Sequence, residues 1–215
     1  MPPDGSPPPF RVWRDGITDR TLKLTVTARI ARMRGGNFGD SFPIGGGASE
    51  SRIDFGPGYR IYYGVAGTDI ILLFGGDKSS QASDIEKSRG FWPITRKDEM
   101  NRNEDYKTDL LAELRSDRRY AAEYLTAARA DSNEAFLVAL RDVAEAQKGM
   151  KRVAKEAKVN RENLYRALSR KGNPSSATLE AVLDVLGIGV KFFPKASATA
   201  RRKSSTKVAG RKARR

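Results

Sequence analysis

The chain contains no cysteine and no histidine. Without thiols there is no disulfide framework and no thiolate metal site, and without imidazole a zinc site would rest on carboxylates alone. The same absences remove the Ser-His and Cys-His nucleophile arrangements, so any chemistry falls to Lys, Arg, Tyr and the carboxylates. No metal and no cofactor is expected. Long apolar runs are also missing, and no segment approaches the ~20 residues that a membrane-spanning helix needs. The opening MPPDGSPPPF lacks the basic and apolar regions of a signal peptide. A cytoplasmic protein without a membrane partner is expected.

What the chain has in excess is positive charge: 40 Lys and Arg against 26 Asp and Glu over 215 residues, a net +14 and a pI near 10.1. A polyanion is the natural partner, because each phosphate neutralised releases condensed counterions. The excess is uneven. Residues 1–98 carry 14 basic against 11 acidic side chains, residues 99–194 carry 17 against 15, and residues 195–215 carry 9 against none. The length suits two small domains rather than one minimal module.

Residues 1–9 are proline-rich and are expected to be disordered. Residues 10–34 fit two patterns: Leu22, Leu24, Val26, Ala28 and Ile30 alternate as in a strand, while Leu22, Val26, Ile30 and Met33 line a helix face. GGNFGD and PIGGGA break the chain, and SESRIDF, YRIYYG and DIILLF then read as three strands of an antiparallel meander. In LLFGGDKSSQASDI the lysine is no phosphate-binding P-loop residue. Asp77 precedes Lys78, and Ile71 stands five residues before Gly76, where a second glycine is required. The glycines are expected to release a strand into a helix over about residues 79–88, capped by Asp77. Centring the preceding hairpin on Pro57 places Asp54 opposite Arg60 and Arg52 opposite Tyr62, on the face away from Ile53 and Ile61.

A charged segment at residues 92–105 separates this half from one that is helical throughout. Apolar periodicity predicts helices around Leu110 and Leu114, around Tyr120, Tyr124 and Ala128, and around Phe136, Leu140 and Val143, the last ended by Gly149. KRVAKEAK and RENLYRALS follow, then a helix around Leu179, Val182 and Leu186 stopped by Gly187, and VKFF as a further strand. Two short helices in tandem, the second capped by Asn160, have the layout of a DNA-reading helix-turn-helix over about residues 150–170. Val159, Leu164 and Leu168 would face inward, leaving Arg161, Glu162, Asn163 and Arg166 for base edges and Lys151, Arg152 and Lys155 for phosphates. Lys158 falls at the turn position that favours positive φ. An ordinary solvated helical bundle is the alternative.

The run from FLVALRDVAEAQKGM through RENLYRALS and GNP to VLDVLGI, with DLLAELRSDRRYAAEYL before it, resembles the HigA-like addiction-module antidote proteins over residues 106–193. ARIARMRGGNFGD, SESRIDFGPGYRIYY and LLFGGDKSSQASDI resemble their partners over residues 10–91, the HigB-like killer proteins of the RelE/ParE group. Relatives of that group begin with a strand where this chain has MPPDGSPPP, and have an apolar residue where it has Ser51. The resemblance implies a killer protein and its antidote joined in one chain: a small α+β RelE-like sheet domain followed by an all-α domain with a Cro-type helix-turn-helix. It implies sequence-specific DNA binding as a homodimer and autoregulation of transcription. It also implies a metal-independent mRNA endoribonuclease, attenuated or held in cis, that would act on ribosome-bound mRNA. Arg52, Arg60 and Lys78 are the candidate catalytic cations, with Tyr59 or Asp84 to exchange protons. Simple cross-strand pairing of Asp54 with Arg60 is the alternative. The tail at residues 194–215 is expected to be disordered, and to bind nucleic acid without reading sequence, which would associate the protein with the nucleoid.

Overall fold

A computed structural model describes residues 7–95, 103–169 and 171–191. The architecture is the expected one, a four-stranded antiparallel sheet with helices followed by a helical region. Helix α1 (Pro9–Asp15) begins with a proline, whose missing N–H and fixed φ suit that position. The segment expected to be loose at residues 1–9 therefore enters α1 at its last residue, and residues 1–6 lie outside the described ones.

Residues 20–34 form helix α2 (Arg20–Arg34), whose first turn is capped by Asp19 accepting from the N–H groups of Thr21 (2.8 Å) and Leu22 (3.1 Å). Both sequence patterns are accounted for by burial on two sides. Leu22, Val26 and Ile30 pack with Ile53 and Ile61 of the sheet, while Leu24, Ala28 and Ala31 belong to the core of the C-terminal helices. A helix buried on two sides loses the clean single stripe of a surface helix, which is why its periodicity fits two patterns.

The sheet runs β1 (Ser41–Gly45), β2 (Ala48–Ile53), β3 (Tyr59–Ala66), β4 (Asp69–Asp77) in chain order. β1 was not expected. It is an edge strand that contains Pro43, tolerated there because an edge leaves one row of backbone groups unpaired. The β2–β3 hairpin pairs Ile53 with Tyr59 and Arg52 with Arg60. This corrects the predicted register: the turn centres on Gly56, with Gly56 and Gly58 both at positive φ, so Arg52 faces Arg60 rather than Tyr62. The shift leaves each strand's inward and outward faces as predicted.

Three glycines make room on the sheet. A Cβ on Gly75 would lie 2.0 Å from the Trp13 ring, and one on Gly64 would lie 2.1 Å from Trp92. Trp13 packs with the apolar face under α1 and α2, and Trp92 with the face under α3 (Gln81–Thr95). Gly76 likewise admits Asp84 and Ser80. Gly75 and Gly76 thus stay within β4 and serve close approach rather than release. Asp77 does not cap α3, which starts later than predicted; its carboxylate accepts from the Ser79 N–H at 2.8 Å and closes the preceding turn.

The C-terminal helices are α4 (Asn103–Ser116), α5 (Arg118–Asp131), α6 (Asn133–Gln147), α7 (Met150–Glu156), α8 (Arg161–Ala167) and α9 (Ser176–Leu186). Asp117, Ser132 and Ser175 cap α5, α6 and α9, and Gly187 ends α9 at φ 65°. Their core holds Leu110, Leu114, Tyr124, Leu140, Val153, Leu164 and Val182. Val190 and Lys191 join no strand, and Phe192 and Phe193 of the predicted VKFF strand lie outside the described residues. So do residues 96–102 of the charged segment and the basic tail. Among the described residues no helix is long and apolar enough to cross a membrane.

Candidate nucleic-acid interface

α7 and α8 are joined by residues 157–160, and local chemistry fixes the turn between them. Lys158 adopts φ 55°, the one positive φ outside glycine among the described residues. A non-glycine residue there costs on the order of 1 kcal/mol, so the surrounding packing must hold it. Asn160 then caps α8, its side-chain oxygen accepting from the N–H groups of Glu162 (2.8 Å) and Asn163 (3.2 Å). Leu164 and Leu168 are buried and Val159 is half-buried against the same core. Beyond α8, Gly172 crosses so closely that a Cβ would lie 1.9 Å from the Ala167 carbonyl oxygen.

The result is a short rod with one face seated and the other open. Arg161, Glu162, Asn163 and Arg166 are all exposed, and Arg166 donates to the Asn163 side-chain oxygen at 2.8 Å. Lys151, Arg152 and Lys155 are exposed on α7. Arg152 and Lys148 both reach Glu156 at 2.6 Å, and these hydrogen bonds, Lys148 first, hold that carboxyl below its ordinary range. Lys151, Lys155, Lys158 and Arg161 have no ion pair among the described residues. α8 ends at Ala167, with Leu168 as its cap, three residues before the limit expected for the helix-turn-helix at about residue 170.

The second predicted cluster is drawn together by a residue that sequence reasoning missed. Glu50 is 2% exposed and lies on the same sheet face as Arg52 and Arg60. Arg52 reaches it at 2.9 Å, Arg60 lies at 3.6 Å, and Gln81 donates to it at 3.3 Å. Arg52 also stands 4.3 Å over the Phe42 ring, while Arg60 is buried. Lys78 is exposed in the turn after β4. Asp84 is buried and accepts from Ser80 at 2.5 Å; Tyr59 packs with Phe55 on the opposite sheet face. Burial, reinforced by Glu50, pushes the Tyr62 hydroxyl up to about 12. Glu50 therefore offsets one of the two arginine charges, with the Arg52 side chain still 44% exposed.

A family model described as a probable addiction module antidote protein matches residues 108–194. The C-terminal half of the chain belongs to that antidote family. An uncharacterized protein of Haemophilus influenzae is 42% identical over 81 residues, covering 37% of this chain and 82% of the relative. A second from the same organism is 43% identical over 58 residues, covering 27% of this chain and 59% of the relative. No solved structure matches the chain.

The antidote half meets the N-terminal half along α1 and α2 through charges of fixed polarity. Arg11 pairs with Asp109 (3.2 Å), Arg20 with Asp117 (3.2 Å) and Glu123 (2.5 Å), Lys23 with Glu113 (3.0 Å), and Arg29 with Asp131 (3.0 Å). Arg34 grips Asp142 through both terminal nitrogens, at 2.6 and 3.0 Å, and Tyr124 donates to the same carboxylate at 3.2 Å. Burial works against the Arg34 charge, but Asp142 more than offsets it, so Arg34 holds its proton more tightly than usual. In every such pair among the described residues the cation comes from the N-terminal half.

Proposed function

We propose that the chain is a killer-antidote fusion in which the antidote half reads operator DNA with α8 and represses transcription of its own gene. The observation that carries this reading is the outward set Arg161, Glu162, Asn163 and Arg166 on a helix seated by Leu164 and Leu168. Arg suits guanine and Asn suits adenine in bidentate fashion, each good pair contributing roughly 1 to 3 kcal/mol of discrimination. Exposed cations on α7 would lie along phosphates, which set position but carry no sequence information. One seven-residue helix contacts too few bases for a unique operator, so the reader acts as a homodimer on two half-sites.

The N-terminal half, on this reading, is a RelE-like domain kept silent in cis. Two features support silence: the polarised charge pairs along α1 and α2, and the ion pairs that draw Arg52 and Arg60 to Glu50, which offset one of their two charges. The test is a gel shift with the duplex immediately upstream of the coding region against a scrambled duplex of equal length. Preference for the upstream duplex that Asn163→Ala removes is the expected result. Equal affinity for both duplexes would instead favour non-specific binding through the tail. Adding the protein to translating ribosomes checks the other half. No mRNA cleavage is expected, and cleavage abolished by Lys78→Ala would establish an active endoribonuclease.

A further inference from the structure

We propose that Arg141, held against the Tyr165 ring that Arg161 also meets, contacts a DNA backbone phosphate beside α8; the inference rests on the reading of α8 as the DNA-facing helix. Arg141 belongs to α6 and lies outside the helix pair that reads bases. Its guanidinium carbon lies 5.3 Å from the centre of the Tyr165 ring, and that of Arg161 lies 5.5 Å from the same centre. Both are within cation-π range, so one aromatic ring fixes two cations from different helices. Neither guanidinium has an ion pair or a hydrogen bond among the described residues. The arginines Arg20, Arg29 and Arg34 of α2, by contrast, each have a carboxylate.

Two cations held against one ring add their potentials, and an anion bound beside Arg141 is attracted by both. The planar fork of a guanidinium matches phosphate oxygens, and a fork already held by an aromatic face loses less freedom on binding. An open groove lies at this place, lined by Asn160, Arg161, Glu162 and Tyr165. Glu162 is the acid that faces it. It is offset from Arg161 by roughly 100° around the helix. Arg141 would thus fix the seating of α8 in the groove without reading sequence, and Tyr165 acts as a positioning residue.

The experiment measures binding of the full chain to the upstream and scrambled duplexes across a salt series, with circular dichroism confirming the fold of each variant. Arg141→Gln is expected to weaken both duplexes by the same factor, roughly tenfold at low salt, and to lower the salt slope by about 1. Tyr165→Leu should do the same, while Tyr165→Phe, which keeps the ring, should bind like the wild type. Wild-type affinity and slope for Arg141→Gln would overturn the site and leave the α8 reading intact. A loss on the upstream duplex alone would make Arg141 a base reader and overturn the phosphate assignment, as would equal losses for Tyr165→Phe and Tyr165→Leu. If the wild type binds neither duplex, the α8 reading fails and this inference fails with it.

Discussion

The arginines of α2 and the cations of α7 and α8 are similar in number and differ in what faces them. Arg20, Arg29 and Arg34 each meet an acid of the antidote half, and the last meets one that is 1% exposed. Lys151, Lys155 and Arg161 stand in solvent without such partners among the described residues. Net charge over a domain therefore says little about where a polyanion binds; the pairing of each cation decides it. The same contrast separates two kinds of energy, since buried pairs act on folding while exposed unpaired cations act on association and its salt dependence.

Breaking the buried pair should have the largest effect. Asp142→Ala leaves Arg34 and Tyr124 without their acceptor and is expected to cost about 3 kcal/mol in urea unfolding. Replacing both partners, Asp142→Leu with Arg34→Met, should recover most of that loss. Next come the sheet glycines: Gly75→Ala forces a methyl into Trp13 and should cost on the order of 2 kcal/mol by the same measurement. Asn163→Ala belongs to the other side of the comparison. It should leave the unfolding midpoint unchanged and lower operator affinity by about 1 to 2 kcal/mol.

Acid should weaken the interface between the halves. Glu123 is held below its ordinary range by the Arg20 hydrogen bond, and Asp117 by the Tyr120 N–H and then by Arg20. A carboxyl depressed in the folded state stabilises it above the unfolded pKa, near 4, and that contribution disappears as pH falls through the lower folded value. Thermal midpoints should drop on acidification below about pH 4.5, and Arg20→Gln should flatten the drop. The smallest effect is expected for Lys23→Ala, whose partly exposed pair with Glu113 contributes at most about 0.5 kcal/mol and less in high salt.

The antidote half was the more legible part. Its helices are amphipathic, their caps are local, and Asn160, Lys158 and Gly187 act as their neighbours in sequence dictate. The N-terminal half was read less well because its determinants are not local. β1 was hidden by Pro43 and the surrounding glycines, which mark turns except on a sheet edge. The hairpin register was misplaced by centring on Pro57, since five residues lie between Ile53 and Tyr59 and Gly56 holds the middle. Gly75 and Gly76 looked like a strand end, and only the positions of Trp13 and Asp84 explain them. Glu50 is a lone acid in a strand, indistinguishable in sequence from a solvated one. The pairing of Arg29 with Asp131 spans about a hundred residues and leaves no mark on either segment.

An amide chemical-shift titration of the isotope-labelled full chain with the upstream duplex tests the partition of charge most directly. Perturbations concentrated on residues 151–166 and Arg141, with α2 and the Arg52–Arg60 strand pair unmoved, are the predicted result. Perturbations centred on Arg52, Arg60 and Lys78, with α8 unchanged, would contradict it.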